Sequence, residues 1–346
     1  MAQLLVAGGV DVHVLTPAKN QAHSDLSLEP EVIDGVKLYR VPAPDLTSAA
    51  INFYQIIDRL DRLIHFDLFH GFYLPMAYPC LAVAERGGRP VIASIRGDDG
   101  LVLLEDDLYK DAVTAVLQKA TWITSVSRDS IERASKLVDI SQRSSFLPNS
   151  IDPGPFSRWS LTDHNRGITG TVCTFRRKKN IPLLIQAYSL IDPGLRRKLL
   201  LVGTFGDPTA NADLDGAIDQ YQIRPEIEIT GYVENTLVPQ YLCSMHVFVL
   251  SSTHEGLPNA ILEAAAAGLP IVSTAVDGVK DVLRHAENAL LVPPEDPGAM
   301  AAAIERVLND DGLASRLSQE ALRTAETFSL EREKQLWLEL YRQLLT

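Results

Sequence analysis

The chain has 346 residues, 46% hydrophobic and 22% charged, which is enough apolar material for two domains and too little polarity for a disordered chain. Glycine (21) and proline (20) stand near ordinary usage, excluding collagen-like and low-complexity architectures, and no internal repeat points to a solenoid or propeller. The formal net charge is −12, and the only dense basic run is Arg176-Arg177-Lys178-Lys179. That argues against a nucleic-acid partner and suits a site for one phosphorylated small molecule.

In chain order, Ala2–Ala7 reads as the tail of a helix, followed by Gly8-Gly9 and a strand over Val10–Leu15. A doubly wound domain normally opens on a strand, so the first strand of this one is expected to be absent or to lie upstream of Met1. Further strands are predicted at Val36–Val41, Ile64–His70, Val91–Ile95 and Trp122–Val126. The stretch Asn149–Gly170, with Pro153, Gly154, Pro155 and the polar run Thr162–Arg166, reads as a linker.

A second set of strands falls at Gly170–Thr174, Leu199–Val202, Ile227–Thr230, Val247–Leu250, Ile271–Ser273 and Leu290–Val292. Between them lie helical segments at Ile181–Ile191, Pro239–Ser244, Asn259–Ala267 and Met300–Leu308. Continuous apolar strands alternating with helices mean parallel sheets covered on both faces. The fold class is therefore α/β, with two doubly wound, Rossmann-like domains over 1–155 and 156–330. Residues 331–346 form a terminal helix, packed either back on the first domain or on its own.

Cys80, Cys173 and Cys243 are odd in number and share no ligand-like spacing, which fits a reducing, cytoplasmic setting better than a disulfide framework or structural zinc. The longest uncharged stretch, Asn235–His254, is too polar to span a bilayer. No signal peptide is apparent. No acidic cluster, including Asp98-Asp99, shows metal-site spacing, so neither a metal nor a cofactor is expected. No G-x-G-x-x-G follows an early strand, which disfavours a dinucleotide oxidoreductase.

The most informative segment is Ser251-Ser252-Thr253-His254-Glu255-Gly256-Leu257-Pro258-Asn259-Ala260-Ile261-Leu262-Glu263. It follows a strand and opens a helix whose unpaired N–H groups and dipole suit an anion. Gly256 permits close backbone approach, and Pro258 suits a first helical turn. Asn259 and Glu263 share one helix face. A carboxylate within that helix can hold the hydroxyls of a ribose.

Glu255 and Glu263, separated by seven residues, with Glu-Ala-Ala-Ala-Ala-Gly-Leu-Pro-Ile-Val beginning at the second, resemble the E-x7-E motif of glycosyltransferase family 4 (group 1). Phe175–Asn180 resembles that family's basic diphosphate segment, Gly203 and Gly231 its glycines after successive strands, and Pro148–Asp152 its junction element. The resemblance covers nearly the whole chain. It implies a GT-B fold with a central cleft and a retaining transferase. The donor would be a nucleotide-sugar (a UDP- or GDP-sugar) and the acceptor a saccharide, lipid-linked or small molecule. Polysaccharide biosynthesis at the inner face of the membrane, through a peripheral contact, is the corresponding setting.

By the same resemblance, Arg176 and Lys179 stabilise the leaving phosphate and Glu255 contacts the donor sugar. Glu263 would hold the ribose, with Gly256, Leu257, Pro258, Asn259 and Gly203 completing the donor site. On the acceptor side Ser94-Ile95-Arg96-Gly97-Asp98-Asp99 stands where relatives have His-Gly-x-Asp, so Arg96 replaces a histidine and is no general base. Asp98, and His70 at the end of a strand, are further acceptor-side candidates. A non-catalytic nucleotide-sugar binder, or an epimerase or phosphorylase of the same fold, remains the alternative.

Overall fold

The computed structural model describes residues 1–18, 28–43, 46–97, 107–206 and 208–346. It divides into two compact units, Met1–Pro148 with Leu330–Thr346, and Asn149–Ser329.

Unit 1 contains α1 (Ala2–Ala7), β1 (His13–Pro17), β2 (Glu31–Ile33), β3 (Val36–Val41), α2 (Leu46–Ile64), β4 (Phe69–Gly71), α3 (Leu74–Ala84), β5 (Val91–Ile95), α4 (Asp107–Lys119), β6 (Trp122–Ser125), α5 (Arg128–Ser135) and β7 (Ser144–Phe146). Its strands form two sheets, ordered β1-β3-β2 and β4-β5-β6-β7, the latter wholly parallel. Among the described residues the first element is a helix, and no strand joins the two sheets. Every residue of β5 is buried, as a parallel strand covered on both faces requires.

The expected strand Ile64–His70 is corrected at its start. Ile64 ends α2, whose Phe53, Ile56, Ile57 and Leu60 are buried at helical spacing, and His65 leaves the helix at φ 60°. Only Phe69–Gly71 joins the sheet.

Unit 2 contains β8 (Ile168–Val172), α6 (Ile181–Leu190), β9 (Lys198–Val202), α7 (Pro208–Tyr221), β10 (Ile227–Ile229), α8 (Val238–Cys243), β11 (Val247–Leu250), α9 (Asn259–Ala266), β12 (Ile271–Thr274), β13 (Leu290–Val292), α10 (Pro297–Asn309) and α11 (Asp311–Thr327). One six-stranded parallel sheet runs β10-β9-β8-β11-β12-β13, so the strand order reverses between β8 and β11. The stretch read as a linker is built into this unit. The Trp159 indole donates to the Met245 carbonyl at 2.9 Å, and the buried Asn165 amide donates to the Ser160 carbonyl at 2.9 Å. Buried aromatic and polar anchors hold it, which turn residues alone do not reveal.

The last helix, α12 (Leu330–Leu345), belongs to unit 1. Trp337, 1% exposed, and Leu340 share a cluster with Leu5, Ile92 and Leu147. Among the described residues no helix is long and apolar enough to cross a membrane.

Candidate active site

In an open α/β sheet, ligands bind beyond the carboxyl ends of the strands where the order reverses. In unit 2 that point lies past β8 and β11, and a cavity of about 460 Å³ opens there. Arg176, Lys178, Lys179, Gly203, Asn259 and Glu263 line it. Pro258 is part of the same wall, whereas Glu255, Gly256 and Leu257 lie in the loop beside it.

The basic segment is shaped by its neighbours. Phe175 is buried edge-on against Phe205, 5.4 Å between rings, and its amide donates to the Thr204 carbonyl at 2.8 Å. A short 3-10 turn over Arg177–Lys179 then closes on Asn180, whose φ of 47° is left-handed. Gly203 sits at φ +140°, and a Cβ there would lie 1.9 Å from the Cys173 carbonyl oxygen. Only glycine allows these two backbones to approach. Arg176 is exposed, and its side chain makes no hydrogen bond or ion pair among the described residues.

Lys179 donates to Glu255 Oε1 at 2.5 Å, and Ser252 Oγ donates to the same oxygen at 2.7 Å. Both charged side chains are withdrawn from solvent, at 15% and 6% exposure. Two hydroxyl residues on either side of Ser252 tie the acidic loop to the basic one. Ser251 Oγ donates to the Lys179 carbonyl at 2.8 Å, and the Thr253 amide to the Lys178 carbonyl at 2.9 Å. Thr274 Oγ1 in turn holds the Ser252 carbonyl at 2.6 Å. Asp277, strained at φ 22°, accepts the Glu255 amide at 3.3 Å.

Pro258, expected in the first helical turn, is instead the extended residue just before α9, and no side chain caps that helix N-terminus. Its first amides and the dipole are therefore directed at the cavity wall. Asn149 Nδ2 donates to Asn259 Oδ1 at 2.8 Å and to the Leu257 carbonyl at 3.2 Å, fixing the loop that precedes the helix. The side-chain carboxyl of Glu263, one turn further along, has no hydrogen-bond partner among the described residues. Burial pushes its carboxyl pKa upward. A half-buried acid with no protein partner is an acceptor awaiting hydroxyl donors.

Sequence reasoning missed Thr174, Tyr232 and Asn235, which line the cavity from loops after other strands. It also missed Ser252, whose hydroxyl meets Glu255 within the loop, and Thr274 and Asp277, which reach that loop from 22 residues away in sequence. Cys173 lines the cavity too, but burial pushes its thiol up to about 12, so it is a packing group rather than a nucleophile. Among the described residues no group of three or more His, Cys, Asp or Glu could hold a metal ion.

The remaining candidates lie in unit 1. His70 has both ring nitrogens engaged, Nδ1 with Tyr341 Oη at 2.9 Å and Nε2 with Ser94 Oγ at 2.6 Å. Ser94 continues to Thr124 Oγ1 at 2.6 Å. Burial, helped by the Arg96 charge, holds this imidazole down at about 3. It is a neutral structural link between β4, β5 and α12. Arg96 follows β5 with its guanidinium carbon 4.2 Å from the centre of the Phe72 ring. Asp98 lies outside the described residues.

Known proteins match the chain in both of its units. Residues 1–154 match the family model described as Glycosyltransferase Family 4, and residues 156–324 that described as Glycosyl transferases group 1. N-acetyl-alpha-D-glucosaminyl L-malate synthase of Bacillus anthracis is 22% identical over 336 residues, covering 93% of this chain and 86% of that protein. The lipopolysaccharide core biosynthesis glycosyltransferase LpsE of Rhizobium meliloti is 32% identical over 171 residues, 49% of this chain and 47% of its own. Among solved structures, sucrose-phosphate synthase from Thermosynechococcus elongatus superposes with a TM-score of 0.86 at 21% identity, covering 99% of this chain and 91% of that one. Anabaena HepE in complex with UDP-glucose gives 0.77 at 16% identity, covering 90% and 87%. With both halves matched and two Rossmann-like α/β units of parallel sheets, the chain belongs to the family 4, group 1 glycosyltransferases and has the GT-B fold.

Proposed function

We propose that the chain transfers a sugar, with retention of configuration, from a nucleoside-diphosphate sugar bound in the unit 2 cavity to a hydroxyl of a saccharide or other small acceptor. The observation that carries this reading is the cavity itself. It sets the cations of Arg176 and Lys179 and an uncapped helix N-terminus on one side of a partnerless acid, Glu263. A nucleoside diphosphate matches that arrangement, with diphosphate oxygens against the cations and amides, and ribose hydroxyls against Glu263. HepE, whose solved complexes hold UDP and UDP-glucose, makes UDP the first nucleotide to try.

In the reaction, the bond from the sugar C1 to the β-phosphate oxygen breaks, and a bond from C1 to the acceptor oxygen forms on the same face. The acceptor proton passes to the departing phosphate oxygen, so no side-chain base is needed. Negative charge grows on the β-phosphate, where Arg176 and Lys179 stabilise the transition state more than the ground state. These cations fill the role a metal would have, and the proposed transfer is metal-independent. Glu255 contacts the donor sugar, and the hydroxyls of Ser251, Ser252 and Thr253 keep it beside Lys179.

The reading is tested by thermal unfolding with UDP, GDP, ADP and their sugar conjugates in EDTA. A nucleotide at a hundred times its dissociation constant adds about 2.7 kcal/mol to the folded state. The response is expected from one nucleotide class and should vanish in Glu263→Ala and Arg176→Ala. Anomeric assignment of the product by NMR then tests retention. An isomerised donor formed without acceptor would favour an epimerase, and binding without any turnover a non-catalytic protein.

A further inference from the structure

The stretch that opens unit 2 is fastened down by a histidine that the sugar transfer does not use. His246 stands between α8 and β11 and is fully buried. Its ring stacks on the Trp159 indole, with 6.3 Å between centres and 19° between planes. The Trp159 amide donates to the Ala267 carbonyl, at the end of α9, at 2.8 Å, and its indole N–H holds the Met245 carbonyl. The Gly167 amide donates to His246 Nδ1 at 3.3 Å. Residues 155–167 thus form a strap gripped at Trp159 and at Gly167 by one imidazole.

That geometry suits only the neutral ring. Because Nδ1 accepts from Gly167, the hydrogen of the neutral imidazole sits on Nε2. Nε2 is buried and has no hydrogen-bond partner among the described residues. A proton added to Nδ1 would face the Gly167 N–H donor to donor, and the new charge would find no acceptor. Among the described residues two charges bear on the ring. The Arg166 guanidinium, from the strap, opposes the proton, and the Asp311 carboxylate, at the start of α11, favours it. Asp311 is already engaged by Arg166 through contacts of 3.0 and 2.9 Å. The adjoining α8 and β8 carry no charged residue. Burial, with Arg166 adding to it, holds this imidazole down at about 4.

With the strap lifted, the ring meets water and titrates at its ordinary 6.5. The opened form then takes up a proton that the closed form refuses, so falling pH drives opening. The strap is also suited to move by itself. It contributes no strand to the six-stranded sheet, and Thr162, Asp163 and His164 are exposed.

We propose that His246 and Trp159 form an acid-operated latch in unit 2: proton uptake on His246 releases residues 155–167 while the sheet behind them stays folded. The latch does not rest on the transferase reading, since neither residue lines the donor cavity. Its opening removes a contact from the end of α9, the helix that brings Asn259 and Glu263 to that cavity.

The test is hydrogen exchange at pH 7.5 and pH 5.0, read by mass spectrometry on peptides covering the strap and β11. Dividing each rate by the intrinsic rate at that pH gives the opening constant. In wild type the strap constant should rise about thirtyfold at pH 5.0, the ratio that 6.5 and 4 dictate, with β11 still protected. His246→Gln offers Gly167 a carbonyl acceptor and takes up no proton, so its strap should open equally at both pH values. Arg166→Gln changes an exposed side chain, removes the opposing charge and frees Asp311 for the imidazolium. Its rise should shrink severalfold. An unchanged strap constant in wild type, or a full rise in His246→Gln, would overturn the proposal. So would a rise shared equally by β11, which would mean that acid unfolds the unit as a whole. Should His246→Gln fail to fold, an undiminished rise in Arg166→Gln would overturn it instead.

Discussion

The Lys179–Glu255 pair offers the sharpest test of how the unit 2 site is held together. Lys179→Met keeps the length and apolar stem of the side chain but removes the ammonium, leaving a carboxylate that is 6% exposed with only the Ser252 hydroxyl donating to it. Breaking a buried ion pair from one side costs about 3–5 kcal/mol. The 15% exposure of Lys179 and the remaining serine donor place this case at the lower end, about 3 kcal/mol. Removing both charges in Lys179→Met/Glu255→Gln leaves no stranded ion and should cost about 1 kcal/mol, well below the sum of the two single substitutions. The assay is urea unfolding of the four proteins of the cycle, followed by circular dichroism and fitted for two units, since two transitions are expected. For a unit of this size the single substitution corresponds to a loss of about 6–12 °C in midpoint. Additive costs in the double variant would refute the reasoning. They would mean that the two groups are each solvated and that their proximity contributes nothing.

Further expectations concern individual residues. Burial raises the Glu263 pKa in the folded state, so its contribution to stability is present below the unfolded value of 4.5 and lost as pH rises through the folded one. Glu263→Gln should therefore stabilise the nucleotide-free chain at pH 7 while weakening nucleotide binding by about tenfold or more; a fall in both would mark the acid as structural. Gly203→Ala places a methyl against the Cys173 carbonyl and should cost more than about 2 kcal/mol while abolishing nucleotide-dependent stabilisation. His70, held near 3 in the fold and titrating at 6.5 when unfolded, makes unit 1 lose stability as pH falls below 6.5, by about 2 kcal/mol at pH 5. Calorimetry at pH 7 and 5 on wild type and His70→Asn should show that component disappear in the variant. Trp337→Ala should cost about 3–5 kcal/mol in unit 1, read by urea unfolding, because its indole is 1% exposed in the cluster with Leu5 and Ile92.

The sequence disclosed the central strands well, because a strand buried on both faces must be apolar at every position. Val91–Ile95, Val247–Leu250 and Leu290–Val292 are strands at the expected boundaries. The helix α2 was hidden because its amphipathic face is interrupted by Asp58, Asp61 and Arg62, and Asp61 is itself buried against Arg89. The short β7 has no buried residue and pairs only as an edge, so composition could not reveal it. In the candidate site, Glu263 and Asn259 were legible as one helix face, and the cavity has both on its wall. Ser252, Thr274 and Asp277 were not, since a hydroxyl or carboxylate that clamps a backbone group leaves no periodic signature.

That difference follows from how the unit 2 cavity and the unit 1 sheet edge are made. The unit 2 cavity depends on backbone: a glycine at φ +140°, an uncapped helix start and carbonyls fixed by hydroxyls. Such features need particular residue types at fixed local spacing, and spacing is what a sequence displays. The unit 1 edge depends instead on side chains from separate strands meeting there, Arg96 on Phe72 and Arg128 on Phe146, with partners 24 and 18 positions apart along the chain. No local pattern announces those pairs. A backbone-built site resists change, because altering it disturbs the sheet itself, whereas a site built from stacked surface side chains is altered by one or two substitutions that the fold tolerates.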